Sequence, residues 1–158
     1  MRLNGGTLLK PLLLGTICAL AVLGADNSLG TWKLNVAKSA YSPAPLPVSS
    51  LTTTRAAWNG GVKVTNTGEL ADGSPINSGY TAKYDGTESP VTGTFWDTIS
   101  VKQVDADTFT TETKKTGGGY HATGQVRVSG DGKTMTVTSK GTNAEGKPFT
   151  ATYVYEKQ

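Results

Sequence analysis

Tyrosines at alternating positions are the side chains of this sequence best suited to recognising a small molecule. Tyr153 and Tyr155 share one face of the last apolar run with Phe149, because side chains alternate along a strand. Tyr80 and Tyr84 are spaced to share a face of an earlier run. Inward-facing tyrosines would give an apolar wall with a few hydroxyl groups, which suits a small aromatic or amphiphilic ligand. The alternative is that they only fill a core.

A second polar face surrounds the only histidine of the chain. His121 shares its face with Thr123, Gln125 and Arg127. Such a face either contacts solvent or lines a wet cavity, and in a cavity Arg127 could hold a ligand carboxylate through two parallel hydrogen bonds. As a general base, His121 would need a positioned nucleophile or acid. No Gly-x-Ser-x-Gly motif supplies one.

The residue types do not support metal binding, thiol chemistry or phosphate binding. The only cysteine, Cys18, lies in an apolar leader, and one histidine is too few for an ordinary zinc site. Asp105 and Asp107 lack the rest of a calcium loop. The glycine run at residues 117–119 precedes a strand rather than a helix, so it is not a phosphate-binding loop. We therefore expect no metal, no other cofactor and no catalytic residue.

The first 25 residues have the layout of a secretory signal peptide. Positive charge at Arg2 and Lys10 precedes an apolar run at residues 11–23, which is too short to span a bilayer. The small residue Ala25 then precedes polar sequence, as at a cleavage site. We expect a signal peptide at residues 1–25, one domain at residues 26–158, and no stable membrane insertion after cleavage. An uncleaved N-terminal anchor is the alternative.

The charge balance limits the partners of the mature domain. The whole chain has 15 basic and 12 acidic residues. Removal of the leader removes Arg2 and Lys10, which leaves the domain nearly neutral and without a basic run. Such a domain is a poor nucleic-acid binder. We expect a monomer that binds no nucleic acid.

Short alternating runs between turn signals indicate an all-β fold. Asn-Gly or Asp-Gly turns at residues 59–60, 85–86 and 131–132 suit tight hairpins, so neighbouring strands are antiparallel. Closing such a meander removes its open edges. The sequence predicts a single antiparallel up-and-down β-barrel of about 8–10 strands, with the proline-rich residues 37–49 as an extended covering strap. The predicted strands are residues 31–36, 50–58, 62–68, 76–84, 90–95, 98–104, 108–114, 120–129, 134–140 and 149–156.

An internal repeat relates residues 62–80 to residues 135–153. Seven positions match at an offset of 73, among them Tyr80 with Tyr153. Each copy reads as a strand, a loop and a second strand. The match favours two related hairpins in the two halves of the barrel, with both tyrosines facing one interior. Convergent hairpin chemistry is the alternative.

The two ends of the predicted domain resemble the calycin superfamily. Residues 30–34, Gly-Thr-Trp-Lys-Leu, resemble the opening of fatty-acid-binding proteins and the Gly-x-Trp of lipocalins. Residues 154–157, Val-Tyr-Glu-Lys, are similar to the last strand of a fatty-acid-binding protein. The wider pattern resembles small exported bacterial lipocalin-like proteins. The resemblance implies a lipocalin-like barrel whose end is plugged by Trp32.

The sequence departs from fatty-acid-binding proteins at two places. Their carboxylate clamp, an Arg-x-Tyr pair on the last strand, reads Tyr-Val-Tyr at residues 153–155, so the arginine is lost. Residues 37–49 are too short and too rich in proline to form the two lid helices of that family. The lost arginine makes Arg127 the candidate replacement.

These patterns predict an exported soluble protein, periplasmic or secreted, that binds a small hydrophobic or amphiphilic molecule inside the barrel. Polar residues opposite the apolar faces favour water outside the barrel over an outer membrane. The predicted ligand-binding residues are Tyr80, Tyr84, Arg127, Tyr153 and Tyr155.

Two other functions stay open at this point. The first is an isomerase or hydrolase that uses a tyrosine or His121. The second is a protein-binding or inhibitor module that acts through the loops around Trp58, Trp96 and residues 117–119. Trp58 and Trp96 both flank turns, and they either rim an opening or cap the core.

Overall fold

The alternating runs form eleven β-strands and one turn of 3-10 helix at Val36–Lys38 in the computed structural model, which describes residues 25–158. The predicted signal peptide, apart from Ala25, lies outside these residues. No helix within them is long and apolar enough to cross a bilayer. The strands are β1 (Gly30–Leu34), β2 (Ala40–Ser42), β3 (Val48–Trp58), β4 (Gly61–Leu70), β5 (Pro75–Lys83), β6 (Asp85–Thr92), β7 (Thr98–Gln103), β8 (Thr108–Lys114), β9 (His121–Val128), β10 (Thr134–Thr142) and β11 (Pro148–Lys157).

The strands close into an antiparallel barrel. From β3 to β11 each strand pairs with the next along the chain, and β1 pairs with both β3 and β11. The closing register places Leu34 opposite Tyr155. All these pairings are antiparallel, because short turns return the chain along its neighbour. The predicted up-and-down barrel is confirmed, and the short β2 adds to the outer edge of β11.

The two ends of the barrel differ in what covers them. We call the end that carries residues 25–29 and the turns at residues 59–60, 104–107 and 129–133 the base, and the opposite end the mouth. At the base the backbone N–H of Asn27 donates to the carbonyl of Ala106 over 3.0 Å. The N-terminal segment therefore crosses the base and closes it.

Trp32 fills the base from inside. The side chain of Trp32 is fully buried, and its indole Nε1 donates to the carbonyl of Ser28 over 2.8 Å. The ammonium of Lys157 lies 4.9 Å from the centre of its ring, within the range of a cation–π contact. Phe109 and Met135 are also fully buried in the same core. The structure thus buries Trp32 at one end of the barrel, and the role of plug that the resemblance implies stays a prediction.

The strap at residues 37–49 is more ordered than the sequence predicts. Its first residues belong to the 3-10 helix, where the side chain of Asn35 accepts the backbone N–H of Lys38 over 3.1 Å. Its centre is β2, whose Tyr41 pairs with Ala151 of β11. The prolines do not prevent this strand, because β2 ends at Ser42 and the first proline of the strap is Pro43. Only Ser39 and residues 43–47 of the strap remain irregular.

The predicted turn at residues 85–86 and the predicted strand at residues 90–95 are each right only in part: Gly86 has the positive φ of a turn residue, +85°, and residues 90–92 belong to β6. The chain turns at Tyr84, and Asp85 already begins β6. The first half of β6 pairs with β7 alone, while β5 and β6 share only the pairs at Gly79 and Tyr80. Residues 93–97 then form a loop at the mouth. This arrangement depends on pairing across the sheet, which local turn chemistry does not encode.

Candidate functional site

The barrel encloses a cavity of about 750 Å³ that opens at the mouth. Inward positions of eight strands, β3 to β5 and β7 to β11, supply its wall, because every second side chain of a strand faces the interior. Most of that wall is apolar. The aliphatic and thioether side chains are Val48, Leu51, Val64, Leu70, Ile76, Ile99, Val126, Met135 and Val137.

A row of polar side chains crosses the cavity wall on three neighbouring strands. Thr53 lies opposite Asn66, and Asn66 lies opposite Ser78, in the registers of β3–β4 and β4–β5. The hydroxyl of Thr53 donates to Asn66 Oδ1 over 2.8 Å, and Asn66 Nδ2 donates to Ser78 Oγ over 3.2 Å. These polar groups satisfy one another, so the row is stable in a mainly apolar interior.

Arg55 lines the cavity one inward position closer to the base than Thr53. Only 5% of this residue is exposed. Its Nε donates to the hydroxyl of Ser28 over 3.0 Å, and its guanidinium carbon lies 5.9 Å from the centre of the Phe109 ring. Within residues 25–158 no carboxylate lies within 4.0 Å of its nitrogens. A buried cation therefore faces the cavity without an ion pair.

Asp26, at the base, holds Ser28 and Tyr84 in place. Its Oδ1 accepts the backbone N–H of Ser28 over 2.9 Å and the Ser28 hydroxyl over 2.5 Å, and its Oδ2 accepts the Tyr84 hydroxyl. Burial, and then the hydrogen bond to Asp26, raise the pKa of Tyr84 far above its ordinary value. The phenol of Tyr84 is therefore neutral, and its hydroxyl group already donates a hydrogen bond to Asp26. Together with Arg55 these residues form the base network.

Tyr80 and Tyr153 both line the cavity, at equivalent places in two hairpins. Tyr80 pairs with Val64 in β4–β5, and Tyr153 pairs with Val137 in β10–β11. Both pairs belong to the sequence repeat, so the repeated stretches do form matching hairpins across one interior. Burial raises the pKa of Tyr153 to about 12. Its phenol therefore stays neutral at physiological pH.

Tyr155 also lines the cavity and is the most buried of the predicted tyrosines. Burial is the largest cause that raises the pKa of its phenol, and the nearby tyrosines Tyr80 and Tyr153 add to the shift. Three of the five predicted ligand-binding residues, Tyr80, Tyr153 and Tyr155, are therefore brought together at one cavity. All three present phenolic hydroxyl groups to the cavity, and the raised pKa values of Tyr153 and Tyr155 keep those two uncharged.

Four aromatic rings in contact, three of them stacked, form the wall of the mouth. Phe149 lies between Tyr41 at 5.6 Å and Tyr120 at 6.0 Å, measured between ring centres, with nearly parallel planes. Phe95 meets Tyr120 edge-on at 4.9 Å and is 61% exposed. We call these four residues the mouth cluster. All four line the cavity, so its opening is aromatic.

The loop that carries Phe95 is tied to the neighbouring loop by Asp97. Its Oδ1 accepts the backbone N–H of Thr116 over 2.8 Å, and its Oδ2 accepts the ammonium of Lys115 over 2.9 Å. Chiefly the bond from Thr116, and then the bond from Lys115, lower the pKa of Asp97 to about 2. Trp96 in the same loop lines the cavity, whereas Trp58 ends β3 at the base. The rim role therefore fits Trp96 alone.

Arg127 and His121 lie on the outer face of β9. Both are exposed, as are Thr123 and Gln125, while the inward Val126 is buried. His121 Nε2 lies 2.8 Å from Glu112 Oε1 on the same outer surface. Of the two environments that the sequence left open for this face, the structure shows solvent. It does not bring Arg127 to the cavity.

Sequence reasoning missed Arg55, which is the cavity's only arginine. The sequence did contain a signal for it: Leu51, Thr53 and Arg55 occupy every second position of β3 and therefore share a face.

Residues 25–158 contain no group of three or more His, Cys, Asp or Glu residues arranged to hold a metal ion. Asp105 accepts the backbone N–H of Asp107 over 2.8 Å, as in a turn.

Comparisons with known proteins give similarity to two solved barrels at low identity. No family model matches the chain, and no curated protein matches it. A zebrafish ileal bile acid-binding protein complexed with cholic acid is 11% identical, with 84% of this chain and 100% of that chain covered and a TM-score of 0.49.

The second similar structure is a redesigned beta barrel, mFAP1, bound to DFHBI. It is 17% identical, with 80% of this chain and 94% of that chain covered and a TM-score of 0.43. Neither similarity identifies a ligand or a family for this chain. The assignment of a closed antiparallel barrel stands on its own strand pairing.

Proposed function

We propose that this protein binds one small amphiphilic molecule inside its barrel. The observation that carries the proposal is the cavity of about 750 Å³ inside the barrel, whose mouth is lined by aromatic side chains. Ligand sites in proteins are concave, mainly apolar, and have volumes of about 300–1,000 Å³. They also carry a few polar groups that orient the ligand. The row of Thr53, Asn66 and Ser78 and the inward tyrosines are such groups.

The binding energy would come from burial of apolar ligand surface. Each 100 Å² removed from water contributes about 2.5 kcal/mol at about 25 cal/mol per Å². Part of this gain is lost to the cost of immobilising the ligand. The cavity wall needs little reorganisation on binding, because its strands belong to a closed barrel. These terms favour an apolar body that fills the space between the polar row and the mouth cluster.

A binding role is better supported than catalysis by the positions of the titratable groups. The cavity tyrosines Tyr153 and Tyr155 have raised pKa values, mainly through burial, so they are poor general bases at neutral pH. His121 lies outside the barrel beside Glu112. The cavity thus contains hydrogen-bonding groups that hold a ligand without an obvious proton acceptor to transform it.

Export to the periplasm or the medium is part of the proposal. It rests on the predicted signal peptide, because cleavage after Ala25 would leave Asp26 as the first residue. The base network needs that residue, because Asp26 binds both Ser28 and Tyr84. N-terminal sequencing of the protein from its own host tests the boundary. We expect Asp26, and a mature chain that starts beyond Asp26 would contradict the boundary.

Filling the cavity tests the proposal directly. Val137→Trp adds an indole at an inward position that lines the cavity, whereas Lys140→Trp adds the same group on the outer face of β10. Dodecan-1-ol is a suitable neutral probe, and isothermal titration calorimetry measures its binding. We expect the wild type and Lys140→Trp to bind it and folded Val137→Trp to lose it. Absence of binding by the wild type, or equal binding by all three, would contradict a ligand in this cavity.

A further inference from the structure

We propose that Arg55 is the anion anchor of the cavity, so that the ligand has a carboxylate head that enters first and an apolar end that stays at the mouth cluster. The proposal rests on the proposed function and names the substrate class of that site. Arg55 is the only charged side chain among the described residues that line the cavity. The cavity therefore selects the sign of a charged ligand.

The guanidinium of Arg55 has hydrogen-bonding capacity to spare. Within residues 25–158 its side chain makes one hydrogen bond, from Nε to Ser28 Oγ over 3.0 Å. No buried side-chain nitrogen or oxygen of these residues lacks a partner. The two Nη groups, which have no protein acceptor there, therefore keep some accessible surface, and Arg55 is one of the residues that line the cavity. Two adjacent N–H groups on a planar guanidinium match the two oxygens of a carboxylate.

The base network fixes the direction in which Arg55 points. The Ser28 hydroxyl donates to Asp26 Oδ1, so its oxygen accepts from Arg55 Nε. Tyr84 donates to the other oxygen of the same carboxylate. Both carboxylate oxygens of Asp26 thus accept hydrogen bonds from Ser28 and Tyr84, and the carboxylate lies beyond ion-pair distance of Arg55. An anchor that is already oriented loses little entropy when a ligand binds.

The charge of Arg55 is only partly compensated in the empty barrel. An arginine stays protonated at any physiological pH, and a buried charge without a partner is unfavourable. The ring of Phe109, whose centre is 5.9 Å from the guanidinium carbon, offsets a part of this cost. A carboxylate would supply the missing charge in a site of low polarity, where ion pairing is stronger than in water.

The position of Arg55 sets the orientation of the ligand. It pairs with Val64, and the polar row at Thr53 lies next towards the mouth. Beyond that row the wall is Leu51 and Ile76, and then the mouth cluster. On this wall polarity decreases from the base to the mouth, whereas on the opposite wall Thr111, Thr113 and Ser139 lie on the mouth side of Phe109 and Met135. The orientation therefore rests on Arg55 itself, whose place near the base puts a bound carboxylate head there and leaves the apolar end towards the mouth cluster.

The test compares two probes that share an alkyl chain and differ at the head, dodecanoate and dodecan-1-ol. Calorimetric titration at pH 7.5 gives both affinities for the wild type, Arg55→Met and Arg127→Met. We expect the wild type to prefer dodecanoate by about 10- to 100-fold, the size of a hydrogen bond to a charged group. Arg55→Met should abolish this preference and keep its affinity for the alcohol. Arg127→Met should retain the preference, because Arg127 lies on the outer face.

The outcomes separate the anchor from the cavity itself. Equal affinities for acid and alcohol in the wild type, or an unchanged preference in Arg55→Met, would overturn the anchor and leave the proposed function standing. Failure of the wild type to bind either probe would overturn both. Dodecylammonium serves as a third probe for the wild type, in case Arg55→Met does not fold. Binding in the order acid, alcohol, amine supports the anchor, and binding of the amine as tightly as the acid contradicts it.

Discussion

The base and the mouth of this barrel use different interactions to hold side chains of similar size. At the base, Trp32 and Arg55 are buried and tied by hydrogen bonds to Ser28, which Asp26 holds in turn. At the mouth, aromatic rings stack on one another, and Phe95 is mostly exposed. One end is therefore held by buried hydrogen bonds, whereas the other is lined by aromatic rings that reach solvent.

The largest expected effect is the loss of Trp32. Trp32→Ala should lower the free energy of unfolding by about 3–5 kcal/mol, the usual cost of removing a buried aromatic side chain. Phe95→Ala at the mouth should cost at most about 0.5 kcal/mol, because its side chain is mostly exposed. Urea denaturation of the two variants measures the difference. Similar losses for both would contradict the division between a rigid base and an adaptable mouth.

A smaller effect is expected when Asp26 is removed. Asp26→Ala leaves the hydroxyls of Ser28 and Tyr84 without their acceptor, which should cost about 1–3 kcal/mol of unfolding free energy. Asp72→Ala is the matched control at the mouth. It removes a bond to the backbone N–H of Ser74 in an exposed turn, where water replaces the carboxylate. The base account fails if both variants unfold at the same urea concentration.

The smallest effect concerns acid and the loop that carries Phe95. The pKa of Asp97 is about 2 in the folded protein and 3.8 as the ordinary value. A lowered folded pKa means that the ionised Asp97 stabilises the protein above pH 3.8, and that this contribution is lost as the pH falls towards 2. The melting temperature of the wild type should exceed that of Asp97→Asn at pH 6.

The same difference in melting temperature should shrink between pH 4 and pH 2. Other carboxylates, such as Asp131, whose pKa is also lowered, titrate in both proteins. Their effect therefore cancels in the difference between the two melting temperatures. A difference that stays constant down to pH 2, or grows on acidification, would show that Asp97 does not hold the loop through its charge.

The sequence was sufficient for most of the strands, because their signals are local. Alternation defines the faces and turn residues define the ends, so β8 at Thr108–Lys114, between Asp105-Ala106-Asp107 and the glycine run at residues 117–119, is predicted to the residue. The errors fall where pairing across the sheet decides the structure. β2 forms because Tyr41 meets β11, and Asp85 joins a strand because it pairs with Lys102 of β7.

The site was only partly predictable for a related reason. Tyr80, Tyr153 and Tyr155 follow from parity and from the repeat, which are visible in the chain. Arg55 has the same parity as Leu51, yet charged residues are rarely buried, and that expectation assigns it to the surface. Its burial depends on Ser28 and Asp26, which are distant in sequence. Arg127 has the guanidinium group that can bind a carboxylate, but its side chain is exposed on the outer face of β9.

The measurement that tests the central claim most directly is native mass spectrometry of the protein purified from its own host, followed by solvent extraction. The account predicts one bound molecule per chain, and an extract that contains an amphiphile with a carboxylate head. Extraction of a neutral amphiphile would retain the cavity and reject the anchor at Arg55. A bare protein mass, together with no heat of binding for dodecanoate or dodecan-1-ol, would contradict the claim that this barrel is a carrier.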